Sequence, residues 1–128
     1  MCRHDPKYIL KTYNNMLDSN DALVQQFLDR GRKQDAQFYA TSMIYDAYFT
    51  MNKDEWLNQD NRAYRDATEK RFAQYWKKYR ELHDTLPADM RNQIIMGIKN
   101  RMFGEGMVLE TQTFAQWMKQ IERMADEA

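Results

Sequence analysis

Scarcity of chain-bending residues constrains this sequence more than any other feature. Only four glycines and two prolines are spread over 128 residues, and valine occurs solely at Val24 and Val108. A sheet protein needs frequent turn residues and β-branched side chains to cover its pleated faces, and neither is supplied. The chain is therefore expected to be all-α, a single-domain bundle of five or six helices over 1–128 with one long central helix from about 54 or 61 to 84. Equal numbers of basic and acidic residues, 19 each, together with 43% apolar residues, exclude a disordered polyelectrolyte. The longest apolar run, Ile94 to Ile98, is far short of the ~20 residues that span a bilayer. The first residues lack the apolar stretch of a secretory signal, and the single cysteine, Cys2, cannot close an internal disulfide. A cytoplasmic, reduced setting without membrane contact is the expectation.

Helix boundaries follow from local chemistry. Asp5-Pro6 reads as a helix start, and Ile9, Tyr13, Met16 and Leu17 recur at helical spacing to about Asp18. Ser19-Asn20-Asp21 reads as a fresh cap for a second, short helix ending near Gly31. From about Lys33 to Met51, apolar side chains occupy nearly every side of the wheel, so this helix is either central or shared with another chain. Asn52 to Glu55 reads as a break and recap. In the long helix that follows, Leu57, Tyr64, Phe72, Tyr75, Tyr79, Leu82 and Leu86 form a near-heptad seam. Pro87 ends that helix and opens the next, whose inward stripe is Met90, Ile94, Gly97, Ile98 and Met102, closed by Gly104 and Gly106. Met107 to Thr111 is a connector. Thr113 with Gln116 forms a capping box for a last helix with Phe114, Trp117, Met118, Ile121 and Met124 inside.

Enzyme chemistry finds few components. Two histidines, two serines and one cysteine are available. Neither Ser19 nor Ser42 sits in a nucleophile turn, and Cys2 near His4 lacks the fixed setting that a catalytic pair needs. His83 falls on the edge of an apolar helix face beside Asp84, as a packed histidine would. No H-E-x-x-H or E-x-x-H pair occurs, Asp54 to Asp60 lacks a calcium loop's glycine, and Glu105 would repel a phosphate from Gly104-Glu105-Gly106. No catalytic residue, metal or cofactor is expected.

Charge is unevenly placed. Residues 61–101 carry 10 basic and 5 acidic side chains, whereas 102–128 carry 2 and 5. Lys70, Arg71, Lys77, Lys78 and Arg80 lie away from the aromatic seam, and Arg91, Asn92 and Gln93 begin the next helix. Together they would form a nucleic-acid surface, the basic face lying along phosphates and the latter three reading base edges. The same basic middle and acidic ends would also orient a protein partner or a second subunit.

Protein association has the broader support. Three tryptophans, eight tyrosines, six phenylalanines and ten methionines exceed what a small helical core needs, and Tyr, Trp, Met and Arg are types enriched where proteins meet. Asn92, Met96, Lys99 and Phe103 project opposite the inward stripe of their helix, while Tyr39, Tyr45, Tyr48 and Phe49 crowd the Lys33–Met51 helix. These eight residues are the expected partner-binding set. The favoured function is a non-enzymatic helical interaction protein, a small regulator, adaptor or inhibitor that occludes a surface and self-associates, as would suit a phage- or plasmid-encoded effector. The alternatives are nucleic-acid binding through helices 61–84 and 87–103, or a ligand site assembled only in three dimensions.

Overall fold

A computed structural model describes residues 6–52, 62–103 and 113–127. Among these residues five helices and no strand occur: α1 (Pro6–Asp29), α2 (Lys33–Met51), α3 (Arg62–Asp84), α4 (Ala88–Phe103) and α5 (Phe114–Glu127). The chain is an all-α helical bundle. The expected cap at Asp5, the pair Cys2 and His4, the break over 53–61 with Leu57, and the glycines and connector over 104–112 lie outside the described residues. The same holds for the side chains of Ile9, Tyr64, Met102 and Phe103.

Two expectations about the elements need correction. Ser19-Asn20-Asp21 does not start a helix, because α1 runs through it without interruption for 24 residues. Its polar side chains face another helix instead: Asn20 accepts a hydrogen bond from the Tyr75 hydroxyl, and Asp21 accepts one from Tyr79 and two contacts from Lys78 at 2.9 and 3.3 Å. Nor is α3 the one long central helix. At 23 residues it is slightly shorter than α1, and the most enclosed element is α2, whose buried residues cover most of its circumference.

α1 stops at a Schellman closure. The Arg32 N–H donates to the Phe27 carbonyl at 2.8 Å and the Gly31 N–H to Leu28 at 3.1 Å, which requires the left-handed backbone that Gly31 adopts at φ 71°. α3 ends where the Thr85 hydroxyl donates to the Glu81 carbonyl at 2.7 Å, and Pro87 then begins α4's first turn. At α5 the capping box is complete: the Thr113 N–H donates to Gln116 Oε1 at 2.9 Å and the Gln116 N–H to Thr113 Oγ1 at 3.2 Å.

Packing holds α1, α2 and α3 together, lays α5 on α3, and leaves α4 packed chiefly on α2. The core is aromatic. Phe114 stacks on Tyr45 at 4.5 Å and meets Tyr48 edge-on, Trp117 stacks on Phe72 at 5.1 Å, and Tyr75 meets Tyr79 edge-on at 4.9 Å. Offset and edge-on rings of this kind contribute beyond the apolar area they remove from water. Among the described residues, no helix is long and apolar enough to cross a membrane.

Candidate functional site

α2 and α4 run parallel, and an apolar groove of about 480 Å³ opens between them. Their contacts advance in step along both helices. Near the start, Gln34 Nε2 donates to the Met90 sulfur at 3.6 Å; near the end, Arg101 pairs with Asp46 at 3.2 Å. Phe38, Tyr39 and Ser42 line the α2 side, and Met90, Gln93, Ile94, Gly97, Ile98 and Arg101 line the α4 side. Phe38 and Tyr39 remain 45% and 38% exposed, which is unusual for rings in a molecule that encloses so many others.

The aromatic wall is fixed from behind. Tyr39 stacks on Phe27 at 5.3 Å, meets Phe38 edge-on at 5.5 Å, and its carbonyl accepts a hydrogen bond from Asn20 Nδ2 at 3.2 Å. The guanidinium of Arg32 covers Phe27, 5.0 Å from the ring centre, and pairs with Asp35. Opposite this wall, a Cβ added at Gly97 would meet nothing within 4 Å. A glycine inside a helix costs roughly 0.5–1 kcal/mol against alanine, and at Gly97 no crowding within the fold demands it. What glycine does provide is a low floor midway along the groove.

Of the expected partner-binding residues, Tyr39 lines this groove. Met96, 56% exposed, and Asn92 stand on the adjoining outer face of α4 with half-buried Lys99, while the Phe103 side chain lies outside the described residues. Tyr45, Tyr48 and Phe49 are placed elsewhere: all three are core residues, Tyr45 and Tyr48 packed against the α5 rings of Phe114 and Trp117 and Phe49 beside Tyr48. Sequence reasoning missed Phe38, Ser42 and Arg101 as site residues and treated Gly97 only as part of an inward stripe. The mid-helix glycine is the signal in the sequence from which the groove could have been found.

The basic stripe of α3 is partly neutralised by α1. Arg71 is ion-paired with Asp18 and Lys78 with Asp21, while Lys70, Lys77 and Arg80 are exposed. Although partial burial pushes the Asp21 carboxyl up, the Tyr79 hydroxyl and the Lys78 ammonium donate to it and hold it below its ordinary value; the Lys78 ammonium is correspondingly raised. Arg91 turns back to the Leu86 carbonyl at 3.0 Å, closing the α3–α4 corner, and Asn92 and Gln93 are exposed. Two of the five anticipated phosphate-binding cations on α3, Arg71 and Lys78, are thus anchored to the fold.

Two buried polar clusters lie outside the groove. In the first, the His83 ring sits 3.0 Å from the Tyr45 hydroxyl through Nε2 and 2.8 Å from Asp84 through Nδ1. With Nδ1–H donating to Asp84 and Nε2 accepting from Tyr45, every donor has an acceptor. An Asp–His–hydroxyl relay has this order, but the rings of Trp76 and Phe114 cover the imidazole, and burial pushes the Tyr45 hydroxyl up to about 12. The cluster therefore ties α2 to α3 rather than presenting a nucleophile. In the second, Glu69 accepts from the Trp117 indole N–H at 2.6 Å and lies 3.0 Å from Arg65 Nε in an oblique ion pair. Burial raises the Glu69 carboxyl despite Arg65 and Trp117. Among the described residues, no group of His, Cys, Asp or Glu is placed to hold a metal ion.

Compared with known protein families, curated proteins and solved structures, the chain matches none.

Proposed function

We propose that this protein is a non-enzymatic helical interaction module, a regulator, adaptor or inhibitor that acts by docking another protein on the α2–α4 groove. One observation carries the reading: an apolar groove walled by two exposed rings whose floor is a helical glycine with empty space above it. A hydrophobic groove between helices is one of the recurring surfaces on which proteins receive a segment of a partner. The buried relay at His83 offers no comparable opening.

Self-association is the less supported form of docking. At and beside the groove, Phe38, Tyr39 and Met96, each about half exposed, present on the order of 100 Å² apiece, which suits a short segment of a partner better than the ~800 Å² face that each of two folded chains contributes to a standard stable interface. Nucleic-acid binding through Lys70, Lys77 and Arg80 is the second reading, favoured by their exposure on one helix.

The test is co-purification of the tagged full chain from cells, repeated with Gly97→Leu and with Lys70, Lys77 and Arg80 all changed to Gln. A protein retained by the wild type, lost with Gly97→Leu at unchanged helicity, and kept by the triple variant supports the groove. Retention of the same protein by Gly97→Leu overturns it. Nucleic acid that co-purifies with both groove forms and is released by the triple variant, with a steep salt dependence, replaces the reading with the second one.

A further inference from the structure

Four helices converge on the His83 imidazole. The ring stands in the last turn of α3, is 5% exposed, and meets the Tyr45 hydroxyl of α2 at 3.0 Å and its neighbour Asp84 at 2.8 Å. Trp76 lies edge-on to it at 5.3 Å, and Phe114, the first residue of α5, tilts over it at 5.7 Å. From α4, the charge of Arg91 bears on both the imidazole and the Tyr45 hydroxyl. Tyr45, Asp84 and Arg91 are thus the titratable and charged groups that face the ring, and α5 brings only an uncharged phenyl.

Arg91 also closes the α3–α4 corner. It sits in the first turn of α4 and donates back to the Leu86 carbonyl at 3.0 Å, while its Nε is buried without a hydrogen-bond partner. Met90 and Gln93 stand close to it in the sequence and line the α2–α4 groove. Because α4 leans chiefly on α2, this corner is where it is tied to α3.

A second proton on the ring disturbs the corner in two ways. Nε2 changes from acceptor to donor, so its N–H and the Tyr45 O–H point at one another. The hydroxyl must then turn away, and among the described residues it has no second hydrogen-bond partner. The new positive charge also faces Arg91 in a covered corner, where like charges repel more strongly than in water. Asp84 and the carbonyl end of α3 favour the charged ring, but 62% of the Asp84 side chain is open to solvent, which screens the pair. Burial and Arg91 act against them, and burial is the largest influence. Swinging the Arg91 turn outward relieves the repulsion and admits water to the ring at the same time.

We propose that His83 is a pH-sensitive latch: taking up a proton, it releases the α3–α4 corner and the first turn of α4 while α1, α2 and the rest of α3 stay packed. Loosening that turn displaces Met90 and Gln93, so the wall of the groove responds to pH as well. The latch itself does not depend on what the groove binds.

Hydrogen exchange and NMR on the full chain test this. Protection factors, which allow for the pH dependence of intrinsic exchange, are compared at pH 7.5 and 5.5. Those of the first-turn amides of α4 are expected to fall roughly five- to tenfold, because a ring freed in the open corner takes up a proton near its ordinary 6.5 and the enclosed ring does so only at lower pH. In His83→Gln the fall should disappear. Imidazole signals, assigned by their loss in that variant, should give a midpoint below 6.5. Arg91→Gln should raise the midpoint and Asp84→Asn lower it, and these two variants decide the matter if His83→Gln does not fold.

A fall confined to the slowest amides of α2 would mean that only complete unfolding exposes the ring, and overturns the latch. So does a fall that persists in His83→Gln, a midpoint at or above 6.5, or a midpoint that neither charge variant moves in the stated direction.

Discussion

His83 is a buried imidazole kept neutral by its surroundings. Burial lowers its affinity for a proton, Asp84 opposes that through Nδ1, and Arg91 adds to it. The folded chain thus takes up this proton at lower pH than the unfolded chain, whose histidine titrates at its ordinary 6.5. Stability from this residue is complete above that value and is lost as pH falls toward the lowered one, because protonation there favours the unfolded chain. Urea unfolding at pH 7 and pH 5 should show the wild type losing stability on acidification, with a smaller loss in His83→Gln; an equal or larger loss in the variant contradicts the assignment. Glu69 acts in the opposite sense. Its raised carboxyl contributes stability that is present below its ordinary 4.5 and lost as pH rises through the raised value, so the comparison between wild type and variant isolates the histidine.

Elements were legible in the sequence wherever their signals were local. The α5 capping box, Pro87 at the head of α4 and Gly31 after α1 each act within a few residues, and each is found as read. The run Lys33–Met51 was also read with its observed limits. Reading failed where a distant partner overrode local preference. Asn20 and Asp21 have the chemistry of a cap, but Tyr75, Tyr79 and Lys78 on α3 use those side chains, and the helix continues. Likewise Tyr45 and Tyr48 looked like surplus until α5, more than sixty residues later in the sequence, covered them. The groove was invisible because it belongs to two helices at once. Its one local trace is Gly97, whose backbone is ordinary for a helix and whose surroundings are empty. Gly97→Ala should therefore stabilise α4 by roughly 0.5–1 kcal/mol through the lost flexibility of the unfolded chain, read as a raised urea midpoint at unchanged slope. Destabilisation would mean that glycine is needed by the fold rather than by a visitor.

Across the whole molecule, the aromatic core is distributed unequally among the helices. α1, α2, α3 and α5 are bound to it by rings, by the Tyr13–Asp46 and Trp117–Glu69 hydrogen bonds and by the α1–α3 ion pairs, whereas α4 rests chiefly on α2. Local opening is cheapest where packing is thinnest. Amide hydrogens of α4 should accordingly exchange with solvent deuterium faster than those of α2, and α2 should approach the global rate; uniform protection of the two would show that α4 is held as firmly as the centre. For a helix that leans chiefly on α2 among the described residues, a docked visitor adds a further neighbour. Recognition would then be recorded as time: the same α4 hydrogens that leave first from the bare protein would be the ones that linger once the groove is filled, and the extent of their delay would measure the strength of the embrace.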